Sequence, residues 1–284
     1  MEASILTNTI LPLSLAIIML GMGTSLVLDD FKRILIYPRA VVIGIFGQIL
    51  VLPLVGFTLV SLFSLEPELA VGLMVLVACA GGATSNLIVY LARGDVALSV
   101  TLTAISSCIT VVTIPFVVNF ALMYFMSLEG EAALPIGSTN AKLFAITLLP
   151  VLLGMFIRHR WSAFAIRAER PISRFSTVFF VLLVAGIIFK ERAIIFDAFV
   201  AVGWLMGVLN MLTMAIGFGL ARLFKLDERQ CVAISVEVGV QNSATAIFIA
   251  TTLLHNSQIA ISPAIYSLVM YVSAGLLIGY MSLK

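Results

Sequence analysis

Charge is scarce in this chain of 284 residues: only 11% are Asp, Glu, Lys or Arg, against roughly 25% in an ordinary soluble domain. Together with 62% hydrophobic residues and a mean hydropathy of +1.19, that scarcity excludes a water-soluble globule and requires an all-α polytopic membrane protein. Metal-binding residue types are equally thin. Cys79, Cys108 and Cys231 stand apart, without CxxC or Cys/His spacing, and His159 and His255 are lone residues at loop ends. This excludes a disulfide framework and a zinc site, and leaves the cysteines as small apolar packing residues. The net charge of +2 comes from basic residues scattered through short loops, which excludes a nucleic-acid-binding stripe. Met1 to Thr9 carries no Lys or Arg, so no cleavable targeting peptide is expected.

What is abundant is long apolar runs. Nine stretches are expected to span: about Ile10 to Leu28, Pro38 to Phe63, Pro67 to Arg93, Asp95 to Met126, Ala141 to His159, Ile172 to Phe189, Asp197 to Phe224, Asp227 to Leu254 and Ile259 to Met281. An odd number puts the termini on opposite sides. With the amino terminus outside, thirteen of the sixteen Lys and Arg residues fall on the cytoplasmic side, leaving only Lys142, Lys190 and Arg192 outside. The positive-inside rule therefore gives amino terminus out and carboxyl terminus in.

Two spans do not read as plain helices. The third contains Ala78-Cys79-Ala80-Gly81-Gly82-Ala83-Thr84-Ser85-Asn86, and the eighth contains Glu237-Val238-Gly239-Val240-Gln241-Asn242-Ser243-Ala244-Thr245. Glycines followed by polar groups at mid-membrane depth are tolerated only where the backbone is buried in protein or lines a wet cavity. Both spans are expected to be broken. They enter the membrane from opposite sides and each precedes a long helix, a pairing that points to the binding site of a secondary transporter built from inverted repeats.

Glu237 is the one carboxylate that cannot reach water from a helix end. At bilayer depth it costs at least about 2.5 kcal/mol on the most lenient scale, so it needs a function and a partner. The polar groups near the breaks are oxygens: Thr84, Ser85 and Asn86, then Ser99 and Thr103 four apart on one helix face, then Gln241, Asn242 and Ser243. A carboxylate among hydroxyl and amide oxygens suits a hard cation. Sodium fits better than zinc, for want of thiol or imidazole, and a single carboxylate is thin for calcium. Three readings compete at this point. One is a sodium-coupled carrier, a second a proton-coupled carrier using Glu237, and a third a non-transport intramembrane enzyme or sensor. The third lacks a nucleophile-base pair, so the chain is not read as an enzyme.

The segments Gly81-Gly82-Ala83-Thr84-Ser85-Asn86, Tyr90 to Val100 and Glu237 to Ser243, with Gly21-Met22-Gly23 and Gln48, resemble the signature stretches of the bile acid:sodium symporter family over most of the chain. The resemblance implies about nine transmembrane helices in inverted-topology repeats, with two crossing discontinuous helices. It divides the chain into a panel (1–30 and 140–190) and a core (38–128, broken near 81–86, and 195–281, broken near 237–243). It also implies two Na⁺ ions. The first maps onto Ser85, Asn86, Ser99, Thr103 and Glu237. The second maps onto Gln48, Gln241 and Glu237, with main-chain oxygens of Val238 and Val240. Thr84, Asn242, Tyr271 and Ala83 correspond to positions bordering the substrate cavity, and at the last two this chain departs from bacterial relatives that have His and Thr.

The function implied is import of a bile acid-like, pantothenate-like or small carboxylate anion with sodium, by alternating access, in a bacterial inner membrane. Lipid and the organic anion are the partners expected, with no nucleic acid and no obligatory protein partner. One Glu⁻ with two Na⁺ leaves a charge of +1 for the anion to neutralise, helped by helix amino termini near Thr84 and Asn242.

Overall fold

A computed structural model describes residues 9–127 and 135–283. Every regular element among the described residues is helical. In chain order they are α1 (Leu11–Ser25), the short α2 (Leu28–Ile36), α3 (Pro38–Phe63), α4 (Pro67–Ala78), α5 (Ala83–Leu91), α6 (Val96–Met126), α7 (Ile136–Arg160), α8 (Ser162–Lys190), α9 (Ile195–Leu223), α10 (Glu228–Gly239), α11 (Ser243–Phe248) and α12 (Ile261–Leu283).

By length and apolarity, six stretches among the described residues can cross a membrane: α3, α6, α7, α9, α12 and the run Glu228–Leu253 that holds α10 and α11. Two of the nine expected spans are shorter in the structure than the apolar runs that announced them. Helix α1 is 15 residues long, and the third expected span is interrupted after the 12 residues of α4. Helix α8 is 29 residues long, and its stretch 172–189, the expected span, carries Arg174 as its one charge.

Local chemistry sets the ends and the irregularities. Pro38 and Pro67 open their helices in the first turn, where a missing N–H costs nothing. Asp95 and Asp227 accept from the Leu98 and Gln230 amides and so cap α6 and α10. Two wide π turns, Gly47–Val51 in α3 and Phe144–Leu148 in α7, lie just before Pro53 and Pro150. A proline ring displaces the carbonyl four residues earlier, here Ile49 and Ile146, and the widened turn takes up the displacement.

Helices α1, α7 and α8 pack on one another, α10 against α9, and α4 between α6 and α12. The run Glu228–Leu253 is the centre of the bundle: 94% of its apolar stretch is buried inside the protein, against 33–50% in the other five. Glycines permit the closest approaches. A Cβ at Gly23 would sit 2.1 Å from the Val151 carbonyl oxygen and one at Gly154 would sit 2.3 Å from that of Leu20, so α1 and α7 meet backbone to backbone.

Candidate functional site

Two helices stop in the middle of the bundle, as their glycines and polar residues predict. Helix α4 ends at Ala78 and α5 starts at Ala83; helix α10 ends at Gly239 and α11 starts at Ser243. The two unwound segments cross, and the Asn242 amide donates to the Ala80 carbonyl at 2.9 Å. Asn242 also caps α11, accepting from the Thr245 amide at 3.1 Å.

Glu237 lies within the last turn of α10, 3% exposed, facing α5 and α6. Ser85 donates to its Oε1 at 2.6 Å, Ser99 to Oε1 at 2.5 Å, and Thr103 to Oε2 at 2.8 Å. Asn86 completes the group, its Oδ1 lying 2.8 Å from the Ser99 hydroxyl and 3.5 Å from that of Thr103. The ion pair of Lys32 with Asp29 is elsewhere. The five residues predicted for the first ion are therefore brought together from three helices.

Counting protons shows what this group can hold. Each hydroxyl has one hydrogen. The three hydroxyls lie within hydrogen-bond distance of both Glu237 oxygens, Asn86 Oδ1 and the carbonyls of Gly82 and Ser99. The Gly82 carbonyl already accepts from the Ser85 amide and that of Ser99 lies inside α6, so the hydroxyls serve three side-chain oxygens, two of Glu237 and one of Asn86. A buried carboxylate so surrounded has hydrogen-bond donors and no positive charge, which a cation would supply. The acceptors are all oxygen, and no cluster of three His, Cys, Asp or Glu exists among the described residues. Such a set fits a hard, singly charged ion and not a transition metal.

Gly81 keeps the space open. A Cβ there would lie 2.8 Å from Glu237 Oε2, 3.5 Å from Ser85 Oγ and 3.6 Å from the Val240 carbonyl oxygen. Three oxygens from both broken helices thus converge on the spot that any side chain would fill.

The residues predicted for a second ion form an adjoining group. Gln48, 4% exposed at the π turn of α3, donates through Nε2 to the Cys79 carbonyl at 3.0 Å and to Gln241 Oε1 at 2.8 Å. Gln241 Nε2 donates to the Val238 carbonyl at 2.9 Å. Here amide hydrogens and acceptors are matched, and a cation would have to displace them. The hydrogen bonds of the Glu237 side chain all go to the first group, so it joins the second only through the backbone of Val238.

Of the residues predicted to border a substrate, three lie in one region. The bare face of Gly82 has Thr84 Oγ1 and the Asn242 side chain within 4 Å. Tyr271 on α12, 40% exposed, faces Thr84 and stacks edge-on to Phe180 of α8. The side chain of Ala83 lies outside the described residues. A small cavity of about 30 Å³ lies beside the crossing, among Met19, Ala80, Ser107, Thr147, Asn242 and Thr245.

Three polar residues passed unnoticed in the sequence: Asn210 on α9 and Tyr266 and Ser273 on α12, gathered behind the second break. The signal for Asn210 was present, because a lone Asn inside an apolar span is itself an expensive choice.

Residues 12–198 match the profile of the Sodium Bile acid symporter family. The chain belongs to that family. The sodium-dependent transporter YocS of Bacillus subtilis is 32% identical over 273 residues, covering 95% of this chain and 82% of YocS. The probable sodium/metabolite cotransporter BASS1 of Arabidopsis thaliana, a chloroplastic protein, is 30% identical over 93% of this chain and 65% of its own length. The human ileal sodium/bile acid cotransporter is 27% identical over 98% of this chain and 80% of its own length. Membership makes the chain an integral membrane protein of a family of sodium-dependent transporters, and the relatives cover both broken helices.

Proposed function

We propose that this protein is a sodium-coupled symporter that imports a small organic anion by alternating access. The observation that carries the proposal is the buried carboxylate of Glu237, held among hydroxyl and amide oxygens with no basic side chain on it, with Gly81 holding the space clear. One Na⁺ binds Ser85, Asn86, Ser99, Thr103 and Glu237. A second binds beside Gln48 and Gln241 and the main-chain oxygens of Val238 and Val240, drawing Glu237 toward it. The orientation of the Val240 carbonyl toward Gly81 supports its membership.

The anion binds against Thr84, Asn242, Tyr271 and Ala83, next to the ions rather than next to a basic side chain. Two cations on one carboxylate leave a local charge of +1, and the amides at the start of α5 add donors. Neither ion nor anion is stable there alone, which couples their movement. The names of the relatives, bile acid cotransporters among them, support an organic anion as cargo. Helices α1, α7 and α8 form the panel and the remaining long helices the core, a division supported by their packing. The spread of Lys and Arg supports an amino terminus outside and a carboxyl terminus in the cytoplasm of a bacterial cell.

The test is uptake in proteoliposomes. A panel of organic anions is offered under an inward Na⁺ gradient, under an equal K⁺ gradient and under a proton gradient without Na⁺. Uptake of at least one anion under Na⁺ alone is expected. Uptake driven equally by protons would transfer the coupling to protonation of Glu237.

A further inference from the structure

We infer that Asn210 and Tyr266 are positioning residues for the second cation site, acting through the Gly239 carbonyl. The inference rests on the sodium-site assignment proposed above.

Gly239 is the last residue of α10, and its carbonyl has no helical amide to accept from. The Val240 amide turns back to Val236, and the Ser243 amide turns to Gln241. A carbonyl stranded at the centre of the bundle needs one donor. This one has two: Asn210 Nδ2 at 2.7 Å and the Tyr266 hydroxyl at 2.6 Å. Asn210 Nδ2 also reaches the Tyr266 oxygen at 3.1 Å, and Asn210 Oδ1 accepts from the Ser273 hydroxyl. Asn210 has two amide hydrogens, Tyr266 one and Ser273 one. The Asn210 and Tyr266 hydrogens are all assigned, Ser273 shares its one between Asn210 Oδ1 and the Val269 carbonyl, and Asn210 and Tyr266 are both fully buried.

Occupying both lone pairs fixes the plane of the Gly239–Val240 peptide. With the Gly239 carbonyl held toward α9 and α12, the next carbonyl, that of Val240, lies on the Gly81 side, 3.6 Å from where a Cβ of Gly81 would sit. The preceding one, Val238, meets Gln241. Two backbone oxygens of the proposed second site thus take their direction from a peptide that Asn210 and Tyr266 hold. The absence of a side chain at Gly239 is part of the device. A Cβ there would lie 2.1 Å from Met214 Cγ, so any side chain would have to displace that of Met214 on α9, one turn from Asn210.

The experiment is a Na⁺ titration of the melting temperature of purified protein in detergent, with choline chloride holding ionic strength constant, on wild type, Tyr266→Phe and Ser273→Ala. Tyr266→Phe keeps the ring and removes one donor, and the Na⁺ concentration at half effect should rise about tenfold, the lower range for residues that orient metal ligands. The slope of the titration should also become shallower. A purely structural role lowers the melting temperature equally at every Na⁺ concentration and leaves the midpoint in place, and that result overturns the inference. Should Tyr266→Phe fail to fold, Ser273→Ala, which loosens only the Asn210 amide, should move the midpoint the same way by a smaller factor, and an unmoved midpoint there overturns it equally. A wild type indifferent to Na⁺ would overturn the site assignment and this inference together. A responsive wild type with unshifted variants overturns the inference alone.

Discussion

Glu237 and Ser85 are 152 positions apart in sequence and 2.6 Å apart in space. That contact joins the last turn of one interrupted helix to the first turn of another. It places an expensive carboxylate where a second chain segment can share it. Ser99 and Thr103, four apart on an uninterrupted helix, reach the same carboxylate from a third direction.

Filling the space beside Gly81 should abolish sodium binding without dismantling the fold. The methyl of Gly81→Ala would lie 2.8 Å from Glu237 Oε2, closer than any Cβ tolerates, and the carboxylate must move away from Ser85. The expected outcome is a protein that purifies as a monodisperse species and melts at the same temperature in Na⁺ and in K⁺.

Single hydroxyl deletions should act by degree. Ser85→Ala and Thr103→Ala each remove one oxygen from the cage and leave the carboxylate with two hydroxyl partners. A hydrogen bond to a charged group contributes about 1.5–3 kcal/mol, so each variant should need roughly ten to a hundred times more Na⁺ for half-maximal stabilisation. A Na⁺ titration of the melting curve measures it, and an unshifted midpoint in both variants would remove the hydroxyls from the site.

Gln48→Ala should cost stability and coupling together. It strips the Cys79 carbonyl and Gln241 Oε1 of a donor in a buried setting, a loss of about 1–3 kcal/mol for each group left unpaired. Chemical denaturation in detergent should show the lower stability. The Na⁺ dependence should become shallower but persist, because the first group of ligands is intact.

How much of this was legible before the fold was known depends on the kind of signal. The two breaks were legible because glycines and polar residues at mid-span contradict the rest of their helices. Ser99 and Thr103 were legible as a pair because helical spacing puts them on one face. Helix ends were less so. Hydropathy marks where lipid stops and not where a helix stops, so α8 begins at Ser162, ten residues before the expected span. The π turns before Pro53 and Pro150 needed the proline to be read backwards by four residues. Gln48 came from family resemblance, since nothing in its own helix announces a partner 193 positions away. Asn210 and Tyr266 were missed because they stand 56 positions apart on different helices, and only the fold shows that they meet.

Transport should be electrogenic. Two Na⁺ moving with one monovalent anion carry one net positive charge inward, and an inside-negative potential supplies about 2.3 kcal/mol per charge per 100 mV. Uptake into proteoliposomes should accelerate when a potassium-diffusion potential is imposed, and potential-independent uptake of a monoanion would reduce the stoichiometry to one ion.

The most direct measurement is equilibrium binding of radioactive ²²Na⁺ to purified wild type and Glu237→Gln, a substitution that keeps the shape of the side chain and removes its charge. Wild type should bind two ions per chain, displaced by unlabelled Na⁺ and not by K⁺, and Glu237→Gln should bind neither with measurable affinity. Full binding by Glu237→Gln would contradict the assignment of this carboxylate as the shared ligand, as would wild-type binding that K⁺ displaces equally well.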